Sequence, residues 1–437
     1  MSPMSSPVAR ERLPRGFAPL IGAQFASALA DNALLIVAIA RLHERGDPAW
    51  WAPLLKIGFT LSYVLLAPFV GALADAVAKA RLMSWMNGVK VLGVLGLMAG
   101  VHPLLAFAVV GFGAAAYAPA KYGLVTELVP PARLVAANGW IEVSVVFAAL
   151  FGAMLGGALV APALLQAAPW PALQALLPTP GRLGPSMLAL VLLYALAAWL
   201  NLRIPDSGAR YPRSARHPAR LLREFVGATR LLASDRDGGL SLAVTTLFWG
   251  VGATLQFAVL RWAEERLALP LSQAAALEAV VALGVVAGAA AAGRFVALGQ
   301  ARRVLGLGVV LGGLMAVIAW SPSLTVALPL LVAVGAVGGL LVVPLNALLQ
   351  HRGATLLSAG RSIAVQGFAE NSSVLAMLAA YAALTALGLP AVWWMTGFGL
   401  AIALAMRALR RSARRGALRP SGAAPRPAAS CAPDREP

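Results

Sequence analysis

Two ionisable side chains lie inside long apolar stretches of this chain, Asp31 within residues 17–40 and Lys121 within residues 103–128. A charge at mid-bilayer costs roughly 2.5–3.5 kcal/mol even on the mildest scale, so it persists mainly where it lines a cavity or meets a partner. Asn32 adds an amide directly after Asp31. These residues predict a membrane transporter with a polar path through its centre.

The two charges leave three interpretations open. Opposite charges at two positions suit a zwitterionic headgroup, whose ammonium would meet Asp31 and whose phosphate would meet Lys121. Asp31 and Lys121 could instead pair with each other, or Asp31 could bind a coupling cation. Lys90, in the third apolar stretch, is interpreted as close enough to a helix end for its long side chain to reach the membrane interface.

Composition indicates an all-α polytopic membrane protein. The chain is 60% hydrophobic and 12% charged over 437 residues, whereas about 25% is charged in typical globular proteins. Twelve apolar stretches are long enough to cross a hydrocarbon core of about 30 Å. They are residues 17–40, 53–75, 82–101, 103–128, 137–162, 184–204, 239–262, 273–297, 303–321, 323–350, 358–386 and 389–410.

The stretches fall into two sets of six, residues 17–204 and 239–410, joined by the basic segment 205–238. Lysine and arginine concentrate in alternate loops, which predicts that both termini and this linker are cytoplasmic. Residues 1–16 and 411–437 are rich in Ser, Pro, Ala and Arg, so they are predicted to be disordered.

The two halves echo each other. Pro119 precedes Lys121 by two residues in the fourth stretch, and Pro344 precedes Asn346 by two in the tenth. Parallel repeats place the substrate site between the halves, near mid-membrane. In the eleventh stretch Gln366 and Glu370 are four residues apart and share a helix face; a cavity-facing strip is favoured there over contacts between helices.

Residues 71–81, GALADAVAKAR, resemble the G-x-L-A-D-x-x-G-R/K signature of the major facilitator superfamily, between helices two and three where that family carries it. The resemblance implies that the aspartate contacts the start of the eleventh helix, whose positive end would favour a carboxylate. Ala78 replaces the second glycine, so a stiffer loop is expected. The implied latch on the outward-facing state comprises Gly71, Asp75, Lys79 and Arg81; an ordinary helix-end carboxylate is the alternative.

Three charged residues near the inner ends of helices four and five, Glu127, Arg133 and Glu142, are candidates for a cytoplasmic gate. Simple surface ion pairing is an equally open interpretation, and such pairs contribute little to stability.

Longer stretches resemble the bacterial lysophospholipid transporter family, over nearly all twelve helices. They are residues 23–35 (AQFASALADNALL), 113–123 (GAAAYAPAKYG), 137–139 (ANG), 343–350 (VPLNALLQ), and 364–366 (AVQ) with Glu370-Asn371.

This resemblance implies movement of lysophosphatidylethanolamine from the periplasmic to the cytoplasmic side of the inner membrane. There a 2-acylglycerophosphoethanolamine acyltransferase and acyl-carrier-protein synthetase would reacylate it, as phospholipid repair. The family carries an arginine where this chain has Gln256, which puts a headgroup role for that position in doubt. Arg261, five residues on, is an imperfect substitute because it lies well around the helix.

Other classes fit less well. The net charge of +18 is spread over loops and tail without the aromatic-interleaved groove of a nucleic-acid-binding protein. The segment from His43 to Asp47 is one residue too short for an H-x4-D acyltransferase motif, and no metal, cofactor or Walker-type site is expected. Within the same fold, a proton-coupled drug exporter with Asp31 as proton carrier remains open, as does a membrane scaffold for an acyltransferase.

Overall fold

The computed structural model describes residues 14–48, 51–177, 179, 181–211 and 217–418. All regular structure in this part of the chain is helical. The α-helices are α1 (Phe17–Arg45), α2 (Trp51–Ala76), α3 (Lys79–Met98), α4 (Pro103–Leu128), α5 (Leu134–Val160), α6 (Pro162–Gln166), α7 (Trp170–Leu176), α8 (Gly184–Leu202), α9 (Pro218–Ser234), α10 (Arg236–Leu267), α11 (Leu271–Phe295), α12 (Leu305–Ala319), α13 (Leu324–Leu356), α14 (Ala359–Ala386) and α15 (Ala391–Leu418).

Twelve of these helices correspond to the twelve predicted stretches, which confirms the fold class. By length and composition, eleven helices in the described residues are apolar enough to cross a membrane. The remaining long helix, α3, carries Lys79, Arg81 and Lys90 within 20 residues. It nevertheless packs between α4 and α8, and Lys79 and Lys90 are buried inside the bundle.

Several helix boundaries differ from the sequence expectation, including those around the linker and the tail. The linker was predicted as residues 205–238, but 218–234 form α9 and the next helix begins at Arg236. The tail was predicted to be disordered from residue 411, but α15 continues to Leu418. A helix that leaves the apolar core can continue because its backbone remains hydrogen-bonded internally, and the Arg236 side chain donates to the Ala413 carbonyl. The predicted disorder of residues 1–13 and 419–437 lies outside the described residues.

The hydrophobic core joins the two halves at one end only. One cluster there combines residues of both halves, with Ala74 and Ala137 from the first half and Ala289 and Ala364 from the second. Separate clusters fill the rest of each half. The halves are therefore packed together at the end where α2 and α4 finish.

Glycines make this close packing possible. A Cβ at Gly71 of α2 would lie 2.8 Å from the Cβ of Ala364 on α14, and one at Gly139 of α5 would lie 2.8 Å from the Ala289 carbonyl oxygen on α11. Small residues let helix backbones approach closely in membranes. Larger residues at these two positions would push the halves apart.

Helix α9 lies against the end of the bundle where the two halves pack together, which we call the closed end. Ala228 and Leu232 are buried against α10, α13 and α14, and Phe225 makes an edge-to-face contact with Phe368 of α14, with ring centroids 5.4 Å apart. Asp235 then caps α10 by accepting from the backbone N–H of Gly238 at 2.7 Å. Arg352 of α13 bonds the same carboxylate, and this lowers the Asp235 pKa.

Candidate substrate site

A cavity of about 430 Å³ lies between the halves. Helices α1, α2 and α4 supply one wall and α13 and α14 the other, with Trp249 of α10 also contributing. All six residues predicted for the substrate or ion path line it: Asp31, Asn32, Lys121, Asn346, Gln366 and Glu370. Most of the remaining wall is aliphatic or aromatic, so the charges are concentrated on an apolar surface.

Asp31 is paired with Lys90. The Lys90 ammonium donates to both carboxylate oxygens of Asp31, at 2.8 and 2.7 Å, and the Tyr194 hydroxyl donates to one of them at 2.8 Å. The prediction that Lys90 reaches the membrane interface is wrong, because this side chain is buried in the bundle. The alternative pairing of Asp31 with Lys121 is likewise replaced by the pairing with Lys90.

Lys121 has a different environment, although it lines the same cavity. Its ammonium lies 3.4 Å from the Gln24 amide oxygen and 4.2 Å from the ring centroid of Tyr122. Gln24 is held in turn by its amide donation to the hydroxyl of Ser144 at 2.9 Å. A weak neutral contact and a ring face leave the Lys121 ammonium able to take a further anionic ligand.

The opposite wall carries a hydrogen-bonded strip. The Gln366 amide donates to Asn346 at 3.0 Å and to Glu370 at 2.8 Å. Asn371 donates to the carbonyl four residues earlier in α14, and Asn32 does the same in α1, both at 2.8 Å. An acid followed by such an asparagine therefore faces the cavity from each half.

Gln256 does not replace the arginine that the family carries at this position. Its amide donates to Glu278 of α11 at 2.8 Å. Arg261 is bound to Glu265 at 2.5 Å and to the Thr385 hydroxyl at 3.0 Å. Both side chains already serve contacts within the second half.

The predicted latch residues gather at the closed end. Asp75, at the end of α2, accepts hydrogen bonds from the Ser358 hydroxyl and from the Gly360 backbone N–H, the latter at 2.9 Å. These two donors stand at the start of α14, the eleventh long helix, where Ser358 is also the N-cap. Lys79 lies 3.8 Å from Asp75, whereas Arg81 is exposed.

The three gate candidates are not brought together. Glu127 pairs with Lys79 at 2.6 Å and accepts from Tyr211 at 2.9 Å, so it belongs with the latch. Glu142 is buried in α5 and interacts electrostatically with Lys121, while Arg133 lies in the turn before α5. Glu142 lies eight residues into its helix, roughly 12 Å along the axis, which is too deep for a surface gate.

A second side-chain contact joins the two halves, and no role was predicted for it from the sequence. Asn138 of α5 and Gln350 of α13 exchange two amide hydrogen bonds, both 2.9 Å long, and both side chains are buried. The signal was present, because each residue is an amide within an apolar stretch. Pairing them required knowing that α5 and α13 meet at the closed end.

Comparisons with known proteins agree with this architecture. A family model for the Major Facilitator Superfamily matches residues 20–372. Lysophospholipid transporter LplT of Yersinia enterocolitica is 40% identical over 383 residues, which cover 87% of this chain and 90% of that protein. The Yersinia pestis protein of the same name is 40% identical over 381 residues, covering 87% and 89%.

Among solved structures, a bacterial homologue of the iron transporter ferroportin in an outward-facing state has a TM-score of 0.69 at 16% identity, covering 92% of this chain and 100% of that one. The human organic anion transporter MFSD10 has a TM-score of 0.68 at 17% identity, covering 93% and 100%. At such identities the likeness shows the fold. Together with the closer relatives, it shows that this chain belongs to the lysophospholipid transporter family of the major facilitator superfamily.

Proposed function

We propose that this protein moves lysophospholipid, chiefly lysophosphatidylethanolamine, across a bacterial inner membrane to the cytoplasmic leaflet. The observation that carries the proposal is an apolar cavity lined by the ammonium of Lys121 and by two carboxylates, Asp31 and Glu370. A zwitterionic headgroup needs both signs of charge, and a single acyl chain needs the apolar wall.

Two further polar atoms support a zwitterionic ligand. The indole N–H of Trp249 and the amide oxygen of Gln366 are buried without hydrogen-bond partners among the described residues, and both residues line the cavity. A buried polar group without a partner is costly. One is a donor suited to a phosphate oxygen and the other an acceptor suited to an ammonium, so a bound headgroup would satisfy both.

The distribution of arginine supports the proposed orientation in the membrane. Basic residues cluster at the latch end, which favours a cytoplasmic location for that end and for both termini by the positive-inside rule. The cavity wall extends along α2 to Lys56, 19 residues and roughly 28 Å from Asp75. We therefore assign an outward-facing state to this structure, in which the predicted latch closes the cytoplasmic side.

Release then requires the latch and the Asn138–Gln350 contact to open. Flipping of a lysophospholipid can be driven by an ion gradient or by removal of the product. Reacylation by an acyltransferase and acyl-carrier-protein synthetase is the second route, and we assign that enzyme as a functional partner.

The proposed function is tested with purified protein in vesicles that contain no acyltransferase. Labelled lysophosphatidylethanolamine is supplied outside, and sodium and proton gradients are set independently. Uptake supports a lysophospholipid transporter and identifies the coupling ion. Transport and competition by ethidium-like cations, without lysophospholipid movement, would establish a drug exporter instead, and no transport of either would favour a scaffold.

A further inference from the structure

We infer that Lys90 is a positioning residue for the headgroup site: it holds the Asp31 carboxylate in a fixed orientation at the cavity wall. This inference rests on the proposed function and deepens it. It also separates two lysines that line one cavity, since Lys90 would serve the protein's own carboxylate and Lys121 the substrate.

The hydrogen-bond directions show why Lys90 is committed. An ammonium has three N–H donors, and Lys90 contacts three acceptors: the two Asp31 oxygens at 2.8 and 2.7 Å and the Ser27 hydroxyl at 3.0 Å. The Ser27 hydroxyl donates its own hydrogen to Asn87 at 2.8 Å, so its oxygen accepts from Lys90. No donor on Lys90 remains for a substrate phosphate.

Lys90 and Asp31 differ in how deeply they are buried. The Lys90 side chain is 2% exposed and that of Asp31 is 17% exposed, so the carboxylate is the more accessible member of the pair. Helix α4 packs closely against the Lys90 side chain. A Cβ at Gly113 of α4 would lie only 2.9 Å from Lys90 Cγ. Tyr194 holds one carboxylate oxygen from α8. Asp31 also lines the cavity, so its carboxylate can accept a further hydrogen bond from an ammonium there.

The orientation of the Asp31 carboxylate depends on this arrangement. Lys90 donates to both carboxylate oxygens, and Tyr194 donates to one of them. Removing Lys90 leaves Tyr194 as the carboxylate's side-chain donor among the described residues, so Asp31 no longer presents a fixed acceptor to an ammonium. The loss should be selective for headgroups that carry an ammonium.

The experiment compares two lipids in reconstituted vesicles, lysophosphatidylethanolamine and lysophosphatidylglycerol, which lacks the ammonium. For Asp31→Asn and for Lys90→Met, we expect the ethanolamine-to-glycerol uptake ratio to fall at least tenfold. The double variant should match Asp31→Asn alone, because residues that act through one group are not additive. Lys90→Arg should retain part of the ratio, since it keeps the charge but presents a planar group.

Ser84→Ala is the matched control. Ser84 lies on the same helix as Lys90, is buried, and donates to the Ala198 carbonyl of α8 at 2.9 Å, so its loss perturbs α3 packing alone. Its uptake ratio should equal that of the wild type. If Lys90→Met fails to fold, the double variant with Asp31→Asn has no unpaired charge and still reports the ratio.

Equal losses for both lipids in Lys90→Met, or losses that multiply in the double variant, would overturn the inference and leave Lys90 a purely structural residue. A double variant with the wild-type ratio would also overturn it. Failure of the wild type to move either lipid would instead refute the proposed function.

Discussion

Replacing Asp75 by alanine should shift the protein towards its inward-facing state. The substitution removes two hydrogen bonds that a carboxylate of α2 accepts from Ser358 and Gly360 of α14. Hydrogen bonds to a charged group contribute about 1.5–3 kcal/mol each. Lys79 keeps its contact with Glu127 at 2.6 Å, and water replaces part of the loss in the open state. We therefore expect a shift of about 2–4 kcal/mol, or roughly 30- to 700-fold in the conformational equilibrium.

Cysteine accessibility measures this shift, because Cys431 is the only natural cysteine and can be replaced. Ala74→Cys reports the closed end, where Ala74 is fully buried. Thr60→Cys reports the cavity wall. In the Asp75→Ala background the first position should label faster with a membrane-impermeant maleimide added from the cytoplasmic side, and the second more slowly from the other side.

Asp206→Asn is a suitable control, since Asp206 is an exposed carboxylate that pairs with Arg210 and does not join the halves. It should leave both labelling rates unchanged. Identical labelling in the Asp75→Ala variant and the wild type would refute the assignment of Asp75 as a latch.

Three further predictions concern transport and stability. Asp31→Ala should abolish most lysophosphatidylethanolamine uptake with near-normal membrane insertion, and Lys121→Ala should act similarly; wild-type uptake by either folded variant would remove that residue from the mechanism. Asn138→Leu should weaken the closed state by about 1–3 kcal/mol, because it leaves the Gln350 amide buried without a partner; the double Leu variant should recover part of this in a labelling assay. Glu224→Gln should loosen α9, because it removes the ion pair with Arg361 of α14; the linker should be proteolysed faster, and a wild-type rate would show that this pair does not hold α9.

Much of the site could be predicted because membrane burial makes each polar side chain conspicuous. Asp31, Lys121 and Gln366 stand out in apolar stretches, and all line the cavity. The Asp75 motif was readable because its signature is local in sequence. The contacts it makes 283 and 285 residues later were available only through the family resemblance.

The incorrect predictions concern residues whose contacts depend on their depth in the membrane and on the rotation of their helix. Lys90 lies eight residues from the start of its predicted stretch, about 12 Å along the axis, which already argued against a position at the interface. Its partner could not be identified, because Asp31 had two candidate lysines and the meeting of side chains from α3 and α1 depends on the tertiary structure. Glu127 and Glu142 likewise have similar sequence surroundings, but the structure places them in different networks.

The anchoring of the linker limits how far the two halves can separate. On one side Tyr211 donates to Glu127 of α4, and on the other Glu224 binds Arg361 of α14. Seven residue steps separate Tyr211 from the start of α9 at Pro218, and a fully extended chain of that length spans at most about 25 Å. The linker thus limits the distance between its two anchoring contacts. To separate further, the two halves must first break the hydrogen bond between Tyr211 and Glu127 or detach α9. The length of the linker therefore limits the size of the conformational change during transport.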